Sequence, residues 1–348
     1  MKSILIIRPS AIGDVVMASP MIRVLREAYP GARIVWLAEP AVVDLLRANP
    51  DLDRIIVWPK GCWRQWLRQG KLLALAKDVR RLAREMRQEH FDLALDAVGL
   101  LKSRLLTRLS GARQRIGFQS KEPGRLLMSK IISKGPDSDQ MSSEYRFLME
   151  SLGLPPGDFH PHIAISDEDR HKAQEVLQAN GLQDRFAVIC PFTTRPQKHW
   201  FEERWVELAG QITEQLGLPV AILGGPGDIP GSQRICAMAG GTIHDLSGKT
   251  SLAQTAAIVS RCSLLVGVDT GLTHIGTAFD RPTIALFGAT CPYRQTPNPL
   301  TRVLYEKFPC SPCRRSPTCD DQFPCMQAHN AEQILDVARE LLQSETAL

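Results

Sequence analysis

Short, wholly apolar runs alternate along this chain with longer amphipathic stretches. Residues 3–7 (SILII) form a short run, apolar from Ile4 on, of strand length. The polar loop RPSAIGD follows, and then apolar periodicity that predicts a helix from about Val15 to Ala28. Further strands are predicted at 32–38 (ARIVWLA), 54–58 (RIIVW) and 91–97 (FDLALDA), with helical stretches between them. Strands that are apolar on both sides of the pleat belong in parallel sheets covered by helices. Their alternation with helices over short connections predicts a doubly wound parallel sheet.

The pattern breaks at 153–166 (GLPPGDFHPHIAIS), a proline- and glycine-rich stretch predicted to link two domains. Alternation then resumes. Strands are predicted at 186–190 (FAVIC), 219–225 (PVAILGG), 263–269 (SLLVGVD) and 282–288 (PTIALFG). Helices are predicted over DEDRHKAQEVLQANG, WFEERWVELAGQITEQLG and SLAQTAAIVSRC, with a last one from about Ala331 to Gln343. The expected fold class is therefore α/β, with two Rossmann-like doubly wound domains facing a central cleft. The expected boundaries are 1–160, 161–330, and a C-terminal helical segment 331–348 packing back toward the N-terminal domain. Ligands of open α/β sheets bind outside the carboxyl ends of the strands. The loops after the strands are thus where chemistry is sought.

Composition narrows this little: 44% apolar and 23% charged residues in 348 are ordinary for a globular protein. No run of 18 apolar residues exists, so no transmembrane segment is expected. The apolar start is too short for a signal-peptide core. A cytoplasmic location is the expectation, and the nine cysteines are not read as disulfides by default. Charge is more informative in its distribution than in its total. Residues 60–130 hold 17 Lys/Arg and 6 Asp/Glu, or +11, in a chain of only +5, which leaves −6 for the rest. A basic N-terminal half suits an acidic ligand.

Three strand-end loops carry candidate chemistry. Ser10-Ala11-Ile12-Gly13-Asp14 lacks the G-x-G-x-x-G of dinucleotide sites. It places Asp14 at a helix start, as a general base or as a helix cap. Pro191 to Trp200 brings Thr193, Thr194, Arg195 and Lys198 to a strand's end, a set suited to a diphosphate. Gly267 to His274 joins a buried strand to a helix whose start, at Thr270, Gly271 and Leu272, suits a phosphate. There Asp269 suits sugar hydroxyls, and His274 reads as a ligand contact or a core histidine. Asp228, after Gly224-Gly225-Pro226-Gly227, could bond a ribose or simply close a turn. Gly288-Ala289-Thr290 likewise follows a strand.

Other features are less specific. Three D-x-D triplets (Asp51/Asp53, Asp137/Asp139, Asp167/Asp169) are weak metal candidates. Cys310, Cys313, Cys319 and Cys325 pack four thiols into 16 residues, which suggests a structural zinc site, packed thiols or a disulfide pair. The stretch 60–87 interleaves Trp63, Trp66, Leu67, Leu72 and Leu73 with Arg64, Arg68 and Lys71, a mixture suited to an anionic membrane surface. From 71 on, a helix packed on the sheet with a basic outer face is the expectation.

Taken together, the loops resemble those of the bacterial lipopolysaccharide heptosyltransferases, glycosyltransferase family 9. The resemblance rests on IIRPSAIGDVVMASPMIRVLREAYP, PFTTRPQKHWFEERW and GVDTGLTHIGTAFDRPTIALFGATCP, in that order. It implies a GT-B fold with the acceptor on the first domain and the nucleotide sugar on the second. It implies inverting, metal-independent transfer of heptose from ADP-L-glycero-β-D-manno-heptose to the lipopolysaccharide inner core. No cofactor is then required for catalysis, and nucleic acid is not a partner. By the same resemblance Asp14 is the general base. Thr193, Thr194 and Lys198 contact diphosphate and ribose, with Lys198 also catalytic. Asp269 and His274 lie on the donor side, and Thr270, Gly271 and Leu272 form the phosphate-binding helix start. Asp228 stands where the family often has a glutamate on the ribose. Arg64, Arg68 and Lys71 are the expected acceptor contacts, and the protein is expected on the inner face of the inner membrane, bound peripherally. A GT-B sugar-nucleotide epimerase and a non-catalytic membrane- or polyanion-binding protein are the competing readings.

Overall fold

The computed structural model describes every residue except Ser138, Arg314, Arg315, Ala347 and Leu348. The chain forms two compact units, Met1–Ser138 with Ser142–Ala164, and Asp139–Met141 with Ile165–Leu348. The short segment Asp139–Met141 groups with the second unit because its backbone bonds to residues 294 and 295.

The first unit is built on six parallel strands, β1 (Ser3–Ile7), β2 (Arg33–Ala38), β3 (Arg54–Val57), β4 (Leu93–Asp96), β5 (Gln114–Phe118) and β6 (Lys130–Ile132). Their order across the sheet is β3-β2-β1-β4-β5-β6. The two-residue period of a strand sends alternate side chains to opposite faces. Along β1, Ile4 and Ile6 join one core cluster with Val15, Met21 and Leu25, while Leu5 and Ile7 join another with Leu82 and Met86. All four are fully buried, which is why SILII is apolar from Ile4 to Ile7.

The second unit repeats the plan with β7 (Ala187–Cys190), β8 (Val220–Ile222), β9 (Ile243–Asp245), β10 (Leu264–Val268), β11 (Thr283–Phe287) and β12 (Thr301–Tyr305). They are all parallel, in the order β12-β11-β10-β7-β8-β9. Each sheet thus starts in the middle and winds outward both ways. The connections on either side of its first strand diverge, which leaves a crevice at the carboxyl ends of β1 and β4, and of β7 and β10.

Several sequence expectations are corrected. The helix expected from Val15 to Ala28 is two helices, Ile12–Ala18 and Pro20–Ala28. Pro20 has no N–H to continue the first helix and occupies the first position of the second. Strands β5, β6, β9 and β12 were not expected. They lie at or next to the sheet edges and carry polar or half-exposed positions, so they lack a continuous apolar run. The last helix, expected to pack toward the N-terminal half, spans Ala331–Thr346 and belongs to the second unit. There Ile334, Leu335, Ala338 and Leu341 join the core formed with Trp205, Leu208 and Ile212 of the helix Glu202–Leu216.

Candidate active site

In the first unit the loop after β1 delivers Asp14 to the third position of the helix Ile12–Ala18. Its Oδ2 accepts from the Ala11 N–H at 3.1 Å and pairs with Arg8 Nη2 at 2.5 Å. Both contacts fall on one oxygen. Oδ1 has no partner among the described residues, and the side chain is 37% exposed. Asp14 is therefore a cap whose second oxygen stays open to solvent.

Arg8, which the sequence did not single out, fixes this geometry. It is buried, donates from Nη1 to the Ala97 carbonyl at 3.0 Å, and lies 5.8 Å from the Tyr145 ring centroid. Burial works against its charge, but Tyr145, Asp14 and Glu144 outweigh burial and hold its pKa above the usual value. The guanidinium thus ties the β1 loop to the end of β4. Beside it, Ser10 Oγ donates to Glu39 Oε1 at 2.6 Å, and Lys60 Nζ pairs with the same oxygen at 2.7 Å. At the end of β4, Asp96 is fully buried. It accepts from the Val98 and Gly99 N–H groups and from Ser103 Oγ, each at 3.0 Å. Burial outweighs these bonds and pushes its carboxyl above the usual range.

In the second unit the crevice between β7 and β10 gathers Thr193, Lys198, Asp269, His274 and Thr290. The loop after β7 closes in a short 3-10 turn, Pro196–Lys198, which aims Lys198 back across the sheet end. Its Nζ pairs with Asp269 Oδ2 at 2.6 Å, and Thr290 Oγ1 donates to the same oxygen. His274 Nε2 is 3.5 Å from Asp269 Oδ1, while its Nδ1 meets the Tyr293 hydroxyl at 2.7 Å. Thr193 Oγ1 donates to the Asp269 carbonyl at 3.2 Å. Burial pushes the Asp269 carboxyl up, but His274 and Lys198 outweigh it and hold the group well below the usual carboxylate range. Asp269 is a standing anion that positions a cation, with no capacity to act as a base near neutrality.

Thr270 stands just before the helix Gly271–Ala278 without a side-chain capping bond, and Gly271 and Leu272 sit half exposed at its start. The close packing beneath them requires a glycine, since a Cβ on Gly267 would lie 2.2 Å from Thr273 Oγ1. Thr194 is exposed at the loop apex. Asp228 Oδ2 accepts from the Gly225 N–H at 2.8 Å, so this carboxylate closes its own turn. His274 is both things the sequence left open: buried among core residues and bonded to Asp269. Tyr293 had no local signal, since its role depends on facing a histidine 19 positions earlier.

Arg64, Arg68 and Lys71 are exposed in the first unit, on and just past the helix Lys60–Arg68 that follows β3. Of the three readings left open for Cys310, Cys313, Cys319 and Cys325, the structural zinc site is not supported and no disulfide forms. Among the described residues no group of three or more His, Cys, Asp or Glu side chains could hold a metal. Cys325 is buried against Gly288 at the end of β11, and burial pushes its thiol up to about 11. All nine thiols are free. Of the D-x-D triplets, Asp53 is held by Arg26 and the Ile34 N–H. Asp167 and Asp169 open a helix capped by Ser166. Ser138, within the third, lies outside the described residues.

Known proteins share this architecture. A solved glycosyltransferase family 9 structure from Veillonella parvula superposes with a TM-score of 0.84, at 24% identity over 99% of this chain and 98% of that one. An Escherichia coli heptosyltransferase solved with ADP-2-deoxy-2-fluoro heptose gives 0.74, at 23% identity over 97% and 99%. The two Rossmann-like units are those of the GT-B fold. In sequence, a Pseudomonas aeruginosa lipopolysaccharide heptosyltransferase 1 is 28% identical over 330 residues, 92% of this chain and 88% of that protein. The family model for glycosyltransferase family 9 (heptosyltransferase) matches residues 79–322, and the chain is a member of that glycosyltransferase family.

Proposed function

We propose that the chain transfers heptose, with inversion, from ADP-L-glycero-β-D-manno-heptose to the inner core of lipopolysaccharide. The observation that carries this reading is the division of labour in the two crevices. One presents a carboxylate with a free oxygen, and the other presents a lysine and a helix start around a carboxylate already neutralised. The acceptor hydroxyl oxygen attacks C1 of the heptose while the C1–O bond to the β-phosphate breaks. The hydroxyl proton passes to Asp14 Oδ1, and the bonding pair leaves with ADP. Arg8 holds Oδ2 so that Oδ1 is the lobe offered.

On the donor side, Lys198 and the N–H groups at the start of Gly271–Ala278 meet the charge developing on the leaving diphosphate. Thr193 and Thr194 extend that cradle, and Asp228 is the proposed ribose contact through the oxygen its turn leaves over. Asp269 contacts the sugar and keeps Lys198 aimed. The names of relatives support the donor and acceptor classes: one is a lipopolysaccharide heptosyltransferase, and another was solved with an ADP-heptose analogue. The acceptor is a lipid, and no helix among the described residues is long and apolar enough to cross a membrane. The reading therefore places the protein peripherally on the cytoplasmic face of the inner membrane, with Arg64, Arg68 and Lys71 toward the acidic acceptor.

A donor screen tests the reading. ADP-heptose and ADP should raise the melting temperature, by an amount equivalent to about 2.7 kcal/mol at a hundredfold excess over Kd. UDP- and GDP-sugars should not. A uridine or guanosine preference refutes the assigned donor.

A further inference from the structure

Helix Lys60–Arg68 buries none of its residues. Trp63 is not what it presents to solvent. Trp63 lies edge-on to Trp58 at 5.9 Å and donates from Nε1 to Asp78 Oδ2 at 2.7 Å, which ties this helix to the next, Leu72–Gln88. The turn between the two helices presents leucine instead. Leu67 is 57% exposed, Leu72 61% and Leu73 89%, all within seven residues. Arg64, Arg68, Lys71 and Lys77 around them are exposed, and none forms an ion pair with a described residue. A single exposed leucine is commonplace. Three on one turn, ringed by four cations without ion-pair partners, match a surface that is apolar inside and anionic at its boundary.

The position of the turn matters as much as its composition. Lys60, at the root of the first helix, is joined through Glu39 to Ser10, in the loop that delivers Asp14. At 1.5 Å per residue, the nine-residue helix carries the leucines about 12 Å from that root. A lipid whose chains meet the turn would carry its sugar toward the root, where the base loop is.

We propose that residues 67–73 form a bilayer wedge. Leu67, Leu72 and Leu73 enter the acyl boundary of an anionic membrane, and Arg64, Arg68, Lys71 and Lys77 bind headgroup phosphates. This rests on the lipid-acceptor reading above, and it assigns the membrane contact to leucines of the turn rather than to the tryptophans.

The test is co-sedimentation of the full chain with phosphatidylglycerol-rich vesicles and with pure phosphatidylcholine vesicles at low salt. Wild type should bind the former only. Leu73→Ser, at a position with almost no packing to lose, should weaken partitioning about tenfold, and Leu72→Ser with Leu73→Ser by on the order of 30-fold or more. The thermal shift produced by ADP reads the other unit and should be unchanged, and the far-ultraviolet circular dichroism spectrum checks that the variants fold. Leucine variants that bind like wild type would overturn the proposal, since cations alone would then suffice, as for any polyanion. Equal binding to phosphatidylcholine, or none to either vesicle, would overturn it too. So would a dimer that the leucine variants dissociate, because a second copy would then be the occupant. Turnover on a deacylated, water-soluble acceptor separates the two readings. Its absence beside leucine-dependent vesicle binding refutes the transferase assignment alone, and its presence beside leucine-independent binding refutes the wedge alone.

Discussion

Replacing Asp14 separates its cap and ion-pair contacts, both on Oδ2, from the base role proposed for Oδ1. Asp14→Asn keeps an oxygen for the Ala11 N–H but removes the anion facing Arg8 and the proton acceptor at Oδ1. Breaking a buried ion pair costs about 3–5 kcal/mol, but Asp14 is more than one-third exposed, and solvent screening reduces this to about 1–2 kcal/mol. At roughly 2–4 °C per kcal/mol, melting of the first unit should fall by about 2–8 °C. Asp14→Ala also loses the cap, a further cost of about 1 kcal/mol. Turnover behaves differently: loss of a general base slows transfer by about 10²–10⁴-fold, which is about 2.7–5.5 kcal/mol of barrier, and equally in both variants. The assay is steady-state ADP release per folded molecule, with calorimetric ADP affinity beside it. ADP affinity should be unchanged, because the proposed donor contacts lie on the second unit. Turnover in Asp14→Asn within threefold of wild type would refute the base assignment and leave Asp14 as a cap and ion-pair partner.

Lys198→Met should cut kcat by about 10²–10³-fold and weaken ADP binding while the fold survives, because Asp269 keeps His274 and Thr290; kinetics beside a melting curve checks both. Arg64→Ala with Arg68→Ala should raise the acceptor KM on the order of 30-fold at low ionic strength and leave the donor KM nearly unchanged. That defect should shrink as added salt screens the wild-type attraction as well. Asp96→Asn should leave the melting temperature at pH 7 unchanged or raise it. The folded-state pKa of Asp96 lies above its unfolded value, so folding gains as pH falls through that window and carries a charge-burial cost above it. Asparagine keeps the acceptor for Val98 and Gly99, and Ser103 Oγ can still donate to the Leu100 carbonyl at 2.8 Å. The difference between variant and wild type should close toward pH 4, and a lower melting temperature at pH 7 would show that the charge is needed.

The central strands were legible because a parallel strand covered on both faces is apolar along nearly its whole length. SILII, RIVWLA, AVIC, LLVGV and TIALF are therefore the clearest signals in the chain. Loops after such strands were legible as the place for chemistry, because winding direction places them at one end of the sheet. Local pattern also put Asp14, Lys198 and Asp269 in those loops. Pro20 announced the helix break in plain sequence, yet the apolar periodicity ran through it and hid the break.

Pairing was not legible. Arg8 meets Ala97 and Tyr145, Lys198 meets an aspartate 71 positions later, and Tyr293 meets His274, all because the strand order brings their loops to one edge. The four clustered cysteines show the converse: burial and then the neighbouring Cys310, Cys313 and Cys319 raise the Cys325 thiol, yet among the described residues closeness in sequence did not give a group able to hold a metal. Trp63 likewise turned inward to Asp78 and left the surface to Leu72 and Leu73. Local pattern reports how much of a side chain must leave water, and that settled the strands, the helices and the loops that carry charge. Which group then faces it is decided by the order in which strands pair, a choice among residues tens of positions apart that no local pattern records.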